Sequence, residues 1–251
     1  MGAGPRPMRH GAATQSQLWA CYSFIPFMLL FFAGCVAIGH LLPPLAPSMP
    51  PAEVAAYFAE HRDRLRLCMI LCMFSTAFLL VFQAALIAQI GRIERGRPKV
   101  WTYAALMAGA GNVVSFTFPL MFWTAALFRA ERPPEILALA NDMAWLPFLG
   151  MVSPFIPLPF CVAIAGLSDD AADPVFPRWF CYYTLASALA FLPAALIVFF
   201  QHGWFAWNGI FGWWLPFGDT FTWMLITFFL LRRGILAQAD SSAGVPEGGR
   251  A

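Results

Sequence analysis

The chain has 251 residues, 60% of them hydrophobic and only 11% charged, with a net charge of +2. Soluble domains carry about 25% charged residues, and no single core in a chain this size can hide so much apolar surface, which excludes a water-soluble fold. The small net charge and the lack of any basic run interleaved with aromatics give no footing for nucleic acid; the lipid bilayer is the first partner the composition implies.

Residues 1–17 form a polar tail carrying Arg6, Arg9 and His10. The apolar stretch that follows is too long for a signal-peptide core and lacks a small-residue cleavage site, so it is expected to be a retained span. A crossing needs about 20 mainly apolar residues to pass about 30 Å of hydrocarbon. Six stretches qualify: 18–42, 68–90, 101–128, 143–167, 179–201 and 211–231. The expected fold is therefore all-α, a polytopic bundle of about six spans forming one transmembrane domain over 18–231. Polar tails at 1–17 and 232–251 would flank it.

Lys and Arg set the orientation. Arg6, Arg9, Arg92, Arg95, Arg97, Lys99, Arg178, Arg232, Arg233 and Arg250 fall on one side, and Arg62, Arg64, Arg66, Arg129 and Arg132 on the other. The richer side is expected to be cytoplasmic, with both termini in.

The long connection 43–67 opens with Pro43, Pro44, Pro47, Pro50 and Pro51 and continues as AEVAAYFAEHRDRLR. Val54, Tyr57, Phe58, His61 and Leu65 recur at helical spacing with charges opposite. This predicts an amphipathic helix on the outer surface, either a connector or a lid. In the third span Ala104, Ala108, Gly111 and Ser115 make a small-residue face for close helix packing. Asn112 beside them and Gln83 in the second span are suited to interhelical hydrogen bonds.

The fourth span reads WLPFLGMVSPFIPLPFCVAIAGL. Pro147 falls in the first turn of a helix beginning near 143, where no donor is lost. Pro154, Pro157 and Pro159 each lack an N–H, which in a regular helix strips partners from the carbonyls of Gly150, Ser153 and Phe155. Hydrocarbon supplies no replacement donor, so Gly150, Ser153, Pro154 and Phe155, with Asn112, are the candidate ligand-binding residues. Asp219 joins them as the one acid well inside a predicted span. It lies thirteen residues before Arg232, roughly 20 Å from that end, where a charge costs about 2.5–3.5 kcal/mol on insertion scales. The alternative is that the sixth helix starts late and leaves Asp219 in headgroup water.

WLPF occurs at 145–148 and again at 214–217, either a trace of duplicated helix hairpins or chance. His40, Asp142 and His202 gather at the outer half with His61 and Asn208. They are weak candidates for a metal site or proton relay, because none stands at ligand spacing on one helix. Cys21, Cys35, Cys68, Cys72, Cys161 and Cys181 read as free thiols in apolar segments, or with Cys35 bridged to Cys68 or Cys72. No lysine lies in any span, which argues against a retinal Schiff base. No phosphate loop, dinucleotide fingerprint or GxSxG elbow is present, and no cofactor is indicated.

Three short motifs, AEVAAYFAEHR (52–62), FPRW (176–179) and WFAWNG (204–209), resemble stretches of a widespread group of bacterial polytopic membrane proteins with no assigned activity. The resemblance implies the architecture and a bacterial inner-membrane location, and no chemistry. Three functions follow as expectations. The first is binding or translocation of a small, largely apolar ligand beside the Pro-broken fourth span. The second is an auxiliary, non-catalytic subunit of a larger membrane complex, with a protein partner or a second copy. The third is a membrane oxidoreductase using an outer His/Asp metal site.

Overall fold

The structure, a computed structural model, describes residues 11–150, 152–153 and 155–243. Among the described residues there are nine α-helices: α1 Ala12–Tyr22, α2 Phe24–Phe32, α3 Pro51–Glu60, α4 Arg62–Ile93, α5 Val100–Phe128, α6 Pro134–Gly150, α7 Pro157–Leu167, α8 Arg178–Ala190 and α9 Leu215–Ala243. A π-helical turn, Ala33–Ile38, extends α2. A 3-10 segment, Leu192–Phe199, extends α8, and a π-helical turn, Ile210–Trp214, leads into α9. The described residues contain no strand.

Five stretches are long and apolar enough to cross a membrane: Ala13–Ile38, Arg62–Ile93, Val100–Phe128, Arg178–Phe199 and Ile210–Ala239. Large apolar side chains such as Leu29, Phe74, Met107, Val114 and Phe229 stand more than half exposed on them. In water such a surface would drive association, whereas lipid tails accept it. Hydroxyls inside the helices need no outside partner, because Ser115, Thr117, Thr124, Thr220 and Thr227 each donate to a carbonyl one turn back.

The fourth predicted span departs from a single helix. α6 begins at Pro134, well before residue 143, and stops at Gly150; α7 restarts at Pro157. Pro disfavours helical backbone in the residue before it, so Ser153 opposes continuation, whereas Ile156 already has helical backbone (φ -73°, ψ -46°) as the N-cap of α7. Once the helix restarts, Pro157 and Pro159 occupy its first turn, where a missing N–H costs nothing. The two halves still carry the chain from one end of the bundle to the other. Arg66 donates to the carbonyls of Leu127 and Phe128 near the start of α4. Arg97, just past the end of α4, donates to the Ser168 carbonyl and pairs with Asp170. The segment between those contacts runs antiparallel to α5, with Trp123 against Trp145 above and Phe116 against Phe148 and Phe155 at the break.

Three further expectations shift. The fifth predicted span is α-helical only to Ala190, because Pro193 cannot donate and the chain tightens into 3-10 turns. The polar tail expected from 232 is helical to Ala243 among the described residues; Gly234 packs against Val175 and Ile235 is buried. The packed face of α5 is wider than the predicted stripe: it holds Ala108 and Ser115 of that stripe together with Ala105, Gly109, Asn112 and Phe116, while Ala104 and Gly111 are partly buried. A Cβ on Gly109 would lie 2.9 Å from the Gln83 Oε1, so glycine is what admits that side chain. The tail residues 1–10 and 244–251 lie outside the described residues.

The amphipathic helix is present as α3. It starts on Pro51 after Pro50 and buries Val54 and Phe58, and His61 hinges it to α4. It packs on α6, and the Tyr57 hydroxyl donates to the His40 carbonyl at 2.8 Å. Trp207 donates from Nε1 to the Leu45 carbonyl at 2.7 Å, tying the 201–209 loop to the same end. The two WLPF copies are not equivalent: Trp145 is fully buried and Trp214 is 55% exposed.

Candidate functional site: a cavity at the helix break

The α6–α7 break lies level with the middle of α5, at Asn112 and Phe116. Two small cavities adjoin there. One is lined by Gln83, Asn112, Phe155, Leu158, Pro159, Ser187, Phe191, Thr220, Trp223 and Met224. The other is lined by Phe116, Phe148, Leu149, Phe155, Phe191, Pro216, Phe217, Thr220 and Phe221. Each gives the centre of a water-sized sphere about 30 Å³ to range over, room for one or two waters. Phe155 and Phe191 line both and form the partition, with ring centroids 5.7 Å apart and planes inclined by 7°. Both rings sit where a helix is interrupted: Phe155 just before α7, Phe191 between α8 and its 3-10 extension.

Polar groups enter this apolar space from four helices. Gln83 on α4 and Asn112 on α5 are 4% and 6% exposed. The Gln83 Nε2 donor and the Asn112 Oδ1 acceptor are buried without a hydrogen-bond partner. Ser187 on α8 and Thr220 on α9 supply hydroxyls. Beside Ser187, the half-buried Asp219 accepts hydrogen bonds from the Ser187 hydroxyl and, at 3.0 Å, from the Tyr183 hydroxyl. Tyr183 and Ser187 are one turn apart on α8, so one face presents both donors. Trp223 extends the contact by donating to Thr184 Oγ1 at 3.0 Å.

The candidate residues divide accordingly. Asn112 and Phe155 line the cavity, and Asp219 reaches it through Ser187. Asp219 lies within α9, and the π-helical turn before α9 extends the apolar stretch back to Ile210. The salt bridges among the described residues are Arg66–Asp63, Arg97–Asp170 and Arg233–Asp173, so the partners of Asp219 are hydroxyls. The Gly150 carbonyl, expected to be stranded, accepts the Val152 N–H at 2.9 Å, and the Val152 carbonyl accepts the Phe155 N–H at 3.0 Å. Tight turns in the gap thus replace part of the lost helix bonding. Ser153 is exposed and lines neither cavity. Pro154 lies outside the described residues. Tyr183, Ser187 and Thr220 were not anticipated, although hydroxyls at i and i+4 in an apolar span are a readable signal.

The outer histidines do not converge. His40 is exposed, has a left-handed backbone (φ 48°) and offers only its carbonyl, to Tyr57. His202 is exposed in the 201–209 loop, and Asp142 is half-buried on α6. Among the described residues, the group of three or more metal-ligating side chains that comes together is Cys35, Cys68 and Cys72.

The helices define a multi-pass membrane protein. No protein-family model, curated protein or solved structure matches the chain.

Proposed function

We propose that this is a six-span protein with both termini cytoplasmic, resident in a bacterial inner membrane. We read it as holding a small, largely apolar molecule at the α6–α7 break. The observation that carries this is the pair of amides facing one cavity, Gln83 Nε2 and Asn112 Oδ1, a donor and an acceptor both lacking partners. Leaving such a group unpaired costs about 1–3 kcal/mol, and hydrocarbon offers no relief. A guest presenting one acceptor and one donor, as a primary amide or an alcohol does, answers both groups at once. Its carbon skeleton would meet Leu158, Pro159, Trp223 and Met224. In the present arrangement the space suits a water, and a larger guest enters when the Phe155 and Phe191 rings part. Asp219, linked to the cavity through Ser187, adds a proton-accepting group to the same site. Gly150 and Ser153 then belong to the turn that joins the half-helices.

Native mass spectrometry of the purified full-length protein in lipid nanodiscs tests the reading. The wild type is expected to retain a non-lipid mass that the Gln83→Leu/Asn112→Leu double variant loses. That variant exchanges two unpaired amides for apolar groups, so its melting temperature should equal or exceed the wild type's. Identical mass patterns in the two proteins, or phospholipid alone in both, would refute the site.

A further inference from the structure

Cys35 lies in the π-helical turn that extends α2; Cys68 and Cys72 lie one turn apart on α4. All three are buried, at 4%, 0% and 1% exposure. The Cys35 and Cys72 Sγ atoms are 3.3 Å apart and those of Cys68 and Cys72 4.0 Å, and all three sulfurs fall within 4.8 Å of one another. The backbone is arranged to permit this. A Cβ on Gly39 would meet the Cys68 Cβ at 2.7 Å and its Sγ at 2.8 Å. One on Gly34 would meet the Cys72 Sγ at 3.1 Å and the Cys68 carbonyl at 3.2 Å. Glycine at both positions lets the two segments touch at the thiols. The wider π turn re-aims side chains relative to a regular α-helix, a deviation that recurs at functional sites.

We propose that Cys35, Cys68 and Cys72 form a trigonal, all-sulfur binding site for a soft monovalent metal ion, Cu(I). The spacing fits. With metal–sulfur bonds of about 2.3 Å, three sulfurs around a central ion stand about 4.0 Å apart; the Cys68–Cys72 separation has that value, the Cys35–Cys72 separation of 3.3 Å is shorter, and all three sulfurs lie within 4.8 Å. The donor set selects the ion. Structural Zn(II) takes four ligands, and among the described residues no further His, Cys, Asp or Glu joins the group. Thiolates select soft ions. Cys68 is six residues into α4, about 9 Å from the helix end, so the ion would sit in the outer part of the bundle beneath the 39–50 connection. Loading exchanges S–H protons for S–Cu bonds and releases those protons to solvent, with no change in oxidation state, so affinity rises with pH. This site shares no residue with the cavity at the helix break.

Titration of the reduced full-length protein in detergent with Cu(I), in competition with bicinchoninate, decides it. One Cu(I) per chain with an ultraviolet sulfur-to-copper charge-transfer band is expected. Cys35→Ser, Cys68→Ser and Cys72→Ser should each weaken binding at least about tenfold, while Cys161→Ser on α7 leaves it unchanged. X-ray absorption on the loaded wild type provides an arm independent of any variant: a first shell of three sulfurs with no nitrogen or oxygen is expected. The assignment fails if no Cu(I) binds, if Cys35→Ser binds as the wild type does, if the first shell contains light atoms, or if Cys35 and Cys72 are isolated under reductant as a disulfide.

Discussion

Phe155 and Phe191 stack nearly parallel, with centroids 5.7 Å apart, and divide one space at the centre of the bundle into two. Both sit where an α-helix is interrupted, Phe155 just before α7 and Phe191 just after α8. A stacked pair contributes about 0.5–1.5 kcal/mol beyond its buried area, and 1.4 kcal/mol is tenfold in a population. With a cysteine at Thr220, which lines both cavities, Phe191→Ala should therefore speed modification by a small methanethiosulfonate up to about tenfold. Equal rates with and without Phe191→Ala would show that the pair does not close the space.

Asp219 is held by two hydroxyls and no cation. Asp219→Asn keeps the shape but turns one acceptor into a donor that faces a hydroxyl. A loss of about 1–3 kcal/mol is expected, read as a lowered melting temperature in detergent. Tyr183→Phe removes a single bond and should cost about 0.5–1.5 kcal/mol. In Asp219→Asn the Tyr183→Phe change should cost measurably less, because the two residues share one interaction. Strict additivity of the two losses would mean that the Tyr183–Asp219 bond contributes nothing to stability.

Much of this arrangement was legible in the sequence. The apolar stretches gave five of the six expected spans, Pro51 and the Val54–Phe58 spacing gave α3, and Asp219 stood out as an acid inside an apolar stretch. The break was legible in kind but not in place. Three prolines announced an interruption, yet treating them as flaws inside one helix predicted stranded carbonyls at Gly150, Ser153 and Phe155. Taking Pro157 instead as the start of a new helix removes most of that cost. Pairing across helices was legible only in part. Cys68 and Cys72 visibly share a face and Cys35 was one expected partner for them, but that all three meet as free thiols depends on Gly34 and Gly39 letting the segments touch. Asn112 was a candidate from the start, but Gln83 read as a routine interhelical hydrogen-bonding group, and only the convergence of the two on one cavity without partners makes it notable.

Glu94 predicts a response to acid. It is buried just past α4 and receives the N–H groups of Trp101 and Thr102 at 3.1 and 2.8 Å and the Thr102 hydroxyl at 2.5 Å, capping the start of α5 from outside it. Burial pushes its carboxyl up, but these hydrogen bonds and the nearby Lys99 outweigh burial, and the net direction is down. A carboxylate lowered in the folded state stabilises above its unfolded value, about 4.3, and that stability is lost as pH falls through the folded value. Glu94→Gln should lower the melting temperature at neutral pH, by about 0.5–2 kcal/mol of capping. It should also flatten the decline below pH of about 4.3. Parallel melting curves for the two proteins across that range would remove Glu94 as the cause.

Gly39→Ala offers a test of the close approach between the α2 extension and α4. The added Cβ would sit 2.7 Å from the Cys68 Cβ and 2.9 Å from the Gly34 carbonyl, so the two segments must separate. Overpacking of this kind costs typically about 1–3 kcal/mol. Gly218→Ala, inside α9 with nothing within 4 Å of its Cβ, serves as the control and should melt at or above the wild type, because Ala is favoured over Gly in a helix by about 0.5–1 kcal/mol. A Gly39→Ala protein as stable as the control would show that the contact yields without cost.

The number of crossings turns on residues 134–167, whose halves are each short. Glu131 lies in the loop beside Ala130, whose carbonyl faces Arg62, while Asp170 pairs with Arg97 at the other end of α4. Along the 32 residues of α4 those ends are roughly 48 Å apart, more than the about 30 Å of hydrocarbon. The broken segment therefore has the reach of a full crossing. With single cysteines at Glu131 and Asp170, a membrane-impermeant maleimide should label the first on intact spheroplasts and the second only after permeabilisation. His202→Cys should label with the first and Lys99→Cys with the second, as the unequal distribution of Lys and Arg requires. Labelling of both Glu131→Cys and Asp170→Cys from one side would mean that α6 and α7 dip in and return, leaving five crossings and the two termini on opposite faces.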